Sequence, residues 1–174
     1  MSEAAVHIKT KHGITTKWHR VIFTDFQSKD SYYNGKDTLK EDVIGSVNFS
    51  IRCDKAVGKV DSEYIPSDGV IVENTDFKIE KNDTVYDILI EAARKYKIQI
   101  ENTGNDNMAY IAGINYLYEF DCGFVSGWMY KVNGWFPNYG SSRYAVKDGD
   151  VIEWLYTCDL GRDIGGNYGA QTGE

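Results

Sequence analysis

The sequence predicts an α+β domain in which one helix lies across a mixed sheet. Three observations carry this. Several short runs alternate apolar and polar residues with the period of a strand, one stretch has the period of an amphipathic helix, and Asn133-Gly134 marks a tight turn.

The elements follow in order. Val47, Phe49, Ile51 and Cys53 alternate with Asn48, Ser50 and Arg52, the pattern of a half-buried strand. Pro66-Ser67-Asp68-Gly69 reads as a turn into a second strand, Gly69–Val72. Asp83 or Thr84 can cap a helix near Thr84–Tyr96, because Val85, Ile88, Leu89, Ala92 and Tyr96 recur on one face. Ile98 and Ile100 begin another strand, and Tyr116–Phe120 supplies one more. Trp128–Val132 runs into Asn133-Gly134, the residue types that accept the positive φ of a two-residue hairpin turn. Asp148-Gly149 then turns the chain into Val151–Thr157, whose Ile152, Trp154 and Tyr156 share a face.

This order divides the chain into an N-terminal arm or linker over residues 1–46, a domain over 47–165 and a glycine-rich tail over 166–174. The arm is irregular. Its Val6–Ile8 and Trp18–Phe23 have strand-like composition, and a polar loop follows from Gln27 to Asp37.

Composition limits the function classes. The arm carries a net charge of +1 and the rest −8, so the overall −7 resides in the domain. An acidic body with no basic stripe argues against nucleic acid as a partner. No apolar run is long enough to span a bilayer, which argues against membrane insertion. All three histidines (His7, His12 and His19) lie in the arm, so the domain holds none for acid–base or triad chemistry. Their spacing matches no metal-site pattern, and Asp148-Gly149-Asp150 lacks the further ligands of a calcium loop. The expected protein is therefore not an enzyme and requires no cofactor. Met1–Ala5 lack the basic start and apolar stretch of a secretory signal, so the chain is expected to stay inside or to be a mature form.

The longest motif lies in the second half. Tyr118-Glu119-Phe120-Asp121-Cys122-Gly123 is followed by Ser126-Gly127-Trp128-Met129-Tyr130-Lys131-Val132-Asn133-Gly134-Trp135-Phe136-Pro137-Asn138-Tyr139-Gly140. Asp148–Trp154 and Tyr156–Gly161 complete it. These runs resemble a bacterial domain-of-unknown-function family that is itself similar to the C-terminal domain of transcobalamin and intrinsic factor. The resemblance extends from about Val47 to about Gly165. It implies a β-grasp-like fold and an extracellular or cell-surface location in Gram-positive bacteria. In the animal relatives the domain covers one face of cobalamin, so a corrinoid is the ligand the resemblance favours. Two departures stand out: relatives often have cysteine at Ser141 and some have one near Ala93, and the arm has no counterpart in the family.

The implied fold bears on the cysteines. In a β-grasp sheet the first and last strands are parallel neighbours, and Cys53 and Cys158 each share the parity of their strand's core face. They are therefore expected to be adjacent, as a Cys53–Cys158 disulfide or as two buried thiols. Cys122–Cys158 is the competing pairing, and an odd cysteine also permits an intermolecular bridge.

Aromatics make up 14% of the residues and concentrate near the Asn-Gly turn. A ligand site is expected there, at Trp135, Phe136, Asn138, Tyr139 and Ser142, with Trp128 and Tyr130 as its support or its wall. Against this, alternation puts Trp128, Tyr130 and Val132 on one strand face, where they can be plain core. The expected function is a binding module for a small amphipathic ligand. The alternative is a structural surface protein, a homo-oligomer or a complex with a second protein chain, whose residues 1–46 dock on a neighbour by strand addition.

Overall fold

Two antiparallel strands start the domain, β3 (Val43–Arg52) and β4 (Val70–Glu80). The computed structural model describes residues 43–104 and 109–166, together with β1 (Lys9–Thr10) and β2 (Gly13–Ile14), which pair antiparallel. The arm segments Val6–Ile8 and Trp18–Phe23, the three histidines and residues 167–174 of the tail lie outside the described residues.

After β4 comes the helix α1 (Val85–Tyr96), then β5 (Ile100–Thr103), β6 (Tyr110–Ile114), β7 (Leu117–Tyr118), β8 (Gly127–Val132) and β9 (Val151–Thr157). The main sheet has the order β4-β3-β9-β8, with β9 parallel to β3 and antiparallel to β8. With α1 between its two hairpin-like halves, this is the β-grasp arrangement within an α+β fold. A second antiparallel sheet runs β5-β6-β7.

Thr84 caps α1 through a reciprocal capping box. Its backbone N–H donates to the Asp87 carboxylate (2.8 Å), and the Asp87 N–H donates to Thr84 Oγ1 (3.3 Å). The helix buries Val85, Ile88, Leu89, Ala92 and Ala93, whereas Tyr96 at its last turn is exposed. That face meets the inward side chains of the sheet: Val47, Phe49 and Ile51 from β3, Trp128, Tyr130 and Val132 from β8, and Ile152, Trp154 and Tyr156 from β9.

Four local expectations need correction. The first strand begins at Val43 rather than Val47, because Val43 and Ile44 are exposed and Gly45 has no side chain to extend the alternation. The second strand runs on to Glu80. A bulge shifts its register between Phe49↔Thr75 and Ile51↔Val72, so buried Val72 and buried Phe77 fall on opposite parities. Tyr116–Phe120 is not one strand. Asn115 and Tyr116 take positive φ (53° and 60°) and form the turn between β6 and β7, leaving Leu117–Tyr118 extended. At Asn133-Gly134 the turn forms, with φ of 50° and 82° and Val132 and Trp135 exchanging backbone hydrogen bonds. Beyond that pair no returning strand follows among the described residues, and β8 builds its ladder with β9 on its other edge. Residues 136–150 instead make an excursion before β9.

The disulfide also differs from expectation. It joins Cys122 to Cys158, with Cα atoms 5.4 Å apart, and Cys53 is a buried free thiol. Register explains this. Ile51 lies opposite Trp154 and Arg52 opposite Leu155, which sets Cys53 level with Tyr156 and one inward step short of Cys158. The 119–126 loop folds over the end of β9, where the Leu160 N–H donates to the Val125 carbonyl (3.0 Å), and this brings Cys122 alongside.

Burial, with the nearby charges of Asp54 and Asp68, pushes the Cys53 thiol from 9.0 up to about 12. An unfolded Cys53 would ionise first. Its contribution to stability is therefore complete below pH 9.0 and is lost as pH rises toward about 12. We predict that native Cys53 resists thiol reagents, and that Cys53→Ala flattens part of the alkaline fall in denaturation midpoint. Peptide mapping without reductant should yield a Cys122–Cys158 pair. A bridged Cys53 would contradict both expectations.

Candidate functional site

The excursion between β8 and β9 is tied down at each end. At its return, buried Asp150 accepts from the Lys147 N–H (2.9 Å) and the Asn133 side-chain amide (2.8 Å), while Asn133 Oδ1 accepts from the Val151 N–H (2.9 Å). Further in, the Val85 N–H donates to the Tyr144 carbonyl (3.0 Å) and the Val146 N–H to the Asp83 carbonyl (2.9 Å), which docks the segment on the start of α1. The Tyr130 hydroxyl donates to the Tyr139 carbonyl (2.8 Å), and the Tyr139 and Tyr144 rings stack at 6.1 Å. An irregular segment with so many anchors is a built feature rather than slack loop.

Between this segment and the edge of β8 lies a cleft of about 290 Å³. Ala109, Tyr110 and Ile111 line one side, Trp128, Met129 and Tyr130 another, and the 137–141 loop and Trp154 complete it. Among the described residues, no lining side chain bears a charge in its ordinary ionisation state. Tyr110 donates its hydroxyl to the Glu119 carboxylate, which holds the ring in place. Burial first, then the bond to Glu119 and that residue's charge, raise the Tyr110 phenol to about 12, so it remains a neutral donor at physiological pH.

Two lining residues have polar atoms without partners. Trp154 Nε1 and Ser141 Oγ are both buried and make no hydrogen bond among the described residues, whereas Trp128 Nε1 donates to the Leu117 carbonyl (2.8 Å). Among the described residues the one other such side-chain atom is Asn102 Oδ1, which does not line the cleft. Buried polar atoms are nearly always bonded, and each exception asks for an explanation. A second hollow of similar size, about 310 Å³, is lined by Ser50, Arg52, Val70, Val72, Glu73 and Asn74. It has no aromatic wall, and its guanidinium is already paired with Asp54 (2.6 Å). Chemistry, not size, sets the first cleft apart.

Of the residues expected at a site, Trp128, Tyr130, Asn138 and Tyr139 meet on the cleft. Trp128 and Tyr130 are also core, each 8% exposed, so the two readings of that strand face describe one arrangement. Trp135 stands beside the cleft, 53% exposed, with its ring 6.2 Å from that of Tyr139. Phe136 turns away, under the Lys131 ammonium at 5.8 Å. Ser142 does not line the cleft; its hydroxyl accepts from the Ala109 N–H (3.3 Å) and ties β6 to the excursion. The residues that sequence reasoning did not place here are Trp154, Ser141 and the start of β6. Alternation had put Trp154 on the core face, and the short, Ala- and Gly-containing β6 gave no strand signal. Among the described residues no group of His, Cys, Asp and Glu is placed to hold a metal ion.

Comparison with known proteins gives three findings. Residues 82–157 match the model of a family described as a domain of unknown function (DUF4430). No curated protein matches the chain. Among solved structures, haptocorrin in complex with Cbi is similar at a TM-score of 0.50 and 17% identity, over 67% of this chain and 25% of that one. This likeness shows the fold, and the chain corresponds to a quarter of the length of that protein. A protein from Ruminococcus gnavus ATCC 29149, provisionally described as metal binding, is matched at 12% identity and a TM-score of 0.41, over 65% of this chain and 96% of that one.

The contrast between satisfied and unsatisfied groups can be tested by stability. Ser141→Ala removes a buried hydroxyl without a partner among the described residues and should raise stability, by up to about 1–3 kcal/mol, in chemical denaturation. Trp128→Phe strands the Leu117 carbonyl and should cost about 1–3 kcal/mol. A loss of stability in Ser141→Ala would mean that the hydroxyl has a partner in the folded protein.

Proposed function

We propose that this chain, whose residues 82–157 match the model of the DUF4430 family, is a non-catalytic binding module that takes one side of a small amphipathic ligand in the cleft beside β8. The observation that supports it most is the coincidence of aromatic walls with two unpartnered buried polar atoms at one cleft. A pocket that is mainly apolar with a few convergent polar groups is the usual form of a small-molecule site.

The size of the cleft qualifies the reading. At about 290 Å³ it sits at the lower end of the range for small-molecule pockets, so it accepts an edge or a side group and not a whole macrocycle. Exposed Trp135 and Tyr139 can cover more of a larger ligand from outside the cleft. A cobalamin-like molecule is the ligand we favour within this class. Haptocorrin, which shares the fold, was solved with Cbi bound, and a module a quarter of its length would contribute one side of such a site.

We place the module outside the cytoplasm, at the cell surface. The Cys122–Cys158 bridge supports this, because disulfides persist mainly in oxidising compartments. No helix among the described residues is long and apolar enough to cross a membrane.

Titration of the protein with cobalamin, followed by calorimetry, tests the proposal. Trp135→Ala and Tyr139→Ala should each keep the fold and weaken binding by about 1–3 kcal/mol, the usual loss for an exposed aromatic anchor. If neither variant changes the affinity of a protein that does bind, the cleft is the wrong place. If cobalamin does not bind at all, the corrinoid preference is withdrawn.

A further inference from the structure

We infer that the group entering the cleft is an uncharged hydrogen-bond acceptor of the carboxamide class, held by the Trp154 indole N–H and the Ser141 hydroxyl. This rests on the binding reading above and narrows it to a chemical group.

The donors come first. Trp154 belongs to β9 and Ser141 opens a 3-10 turn at 141–143, so two separate elements each bring one unpartnered polar group to the lining. Each residue is 2% exposed and each lines the cleft. Leaving such a group unbonded costs about 1–3 kcal/mol, which a ligand supplying the partner would recover. The indole nitrogen is a donor only, so its partner must be an acceptor. A hydroxyl can donate or accept. A primary carboxamide offers both functions in one flat group: a carbonyl oxygen for the indole and an N–H for the serine.

Charge then narrows the class. A carboxylate would also accept from the indole, but among the described residues no cationic side chain lines the cleft to offset its desolvation. The nearby carboxylate of Glu119, bonded to the Tyr110 hydroxyl, would repel it further. An ammonium group would offer the indole no acceptor. The walls agree with a planar neutral group, since Trp128, Tyr130 and Tyr139 present ring surface.

Benzamide and benzoate are suitable probes, equal in shape and different in charge. In the full chain, ¹⁵N spectra resolve the indole N–H of each of the four tryptophans, and the backbone amide of Met129 reports occupancy of the cleft independently. We expect benzamide to shift the Trp154 N–H and the Met129 amide along one saturable curve. Benzoate should bind at least about tenfold more weakly, the equivalent of one lost hydrogen bond in such a site. Trp154→Phe, which keeps a ring and removes the donor, should abolish the preference, and Ser141→Ala should reduce it should the first variant fold poorly. Equal affinities for the two probes, with Met129 responding to both, would overturn the carboxamide assignment and leave the cleft as a binding site. No response of Met129 to either probe would overturn the assignment and the binding reading together.

Discussion

The parallel pairing of β3 with β9 is the constraint on which the rest of the molecule depends. It joins the beginning of the domain to its end, and every element between must fit around that seam. With β4 on the outer side of β3 and β8 on the outer side of β9, the sheet has room for α1 across one face and none for a further strand between. On the edge of β8 away from β9, the chain leaving the Asn133-Gly134 turn pairs back through Trp135 with Val132 and no further among the described residues. It makes the 136–150 excursion, and that excursion becomes a wall of the cleft. The same register leaves Cys53 one inward step away from Cys158 and frees the latter for Cys122.

Core and site are built from the same residues. Tyr130 packs against Trp154 at 5.6 Å and Trp128 against Tyr156 at 5.2 Å, which are contacts of the interior. Trp128, Tyr130 and Trp154 also line the cleft. A wall made of core side chains is rigid, so a ligand meeting it orders little that was not already ordered. The buried hydrogen bonds follow the same logic. Trp128 and Tyr156 spend their polar atoms on the Leu117 and Tyr118 carbonyls and so brace β7 against the main sheet. Trp154, two residues before Tyr156 on β9, has no such outlet among the described residues.

Much of this was legible in the sequence where one period ran undisturbed. The face of α1, the inward residues of β9 and the Asn-Gly turn each follow from a single local rule, and their caps and turns agree with it. What stayed hidden depends on contacts between distant segments. The bulge in β4 breaks the parity on which alternation relies, and Gly113 in β6 is small because the Tyr118 ring lies against it. The site was half visible for the same reason. Trp135, Asn138 and Tyr139 are marked by composition, whereas Ser141 and Trp154 matter through a missing partner, which only three-dimensional proximity reveals.

Hydroxyl-radical footprinting with and without cobalamin tests the central claim most directly, because it reads all exposed side chains of the full chain at once. Bound cobalamin should protect Trp135 and Tyr139. The exposed Phe124 and Tyr64, neither of which lines the cleft, should be oxidised equally in both states. Protection centred on Phe124 or on the hollow beside Arg52, with Tyr139 unaffected, would contradict the assignment.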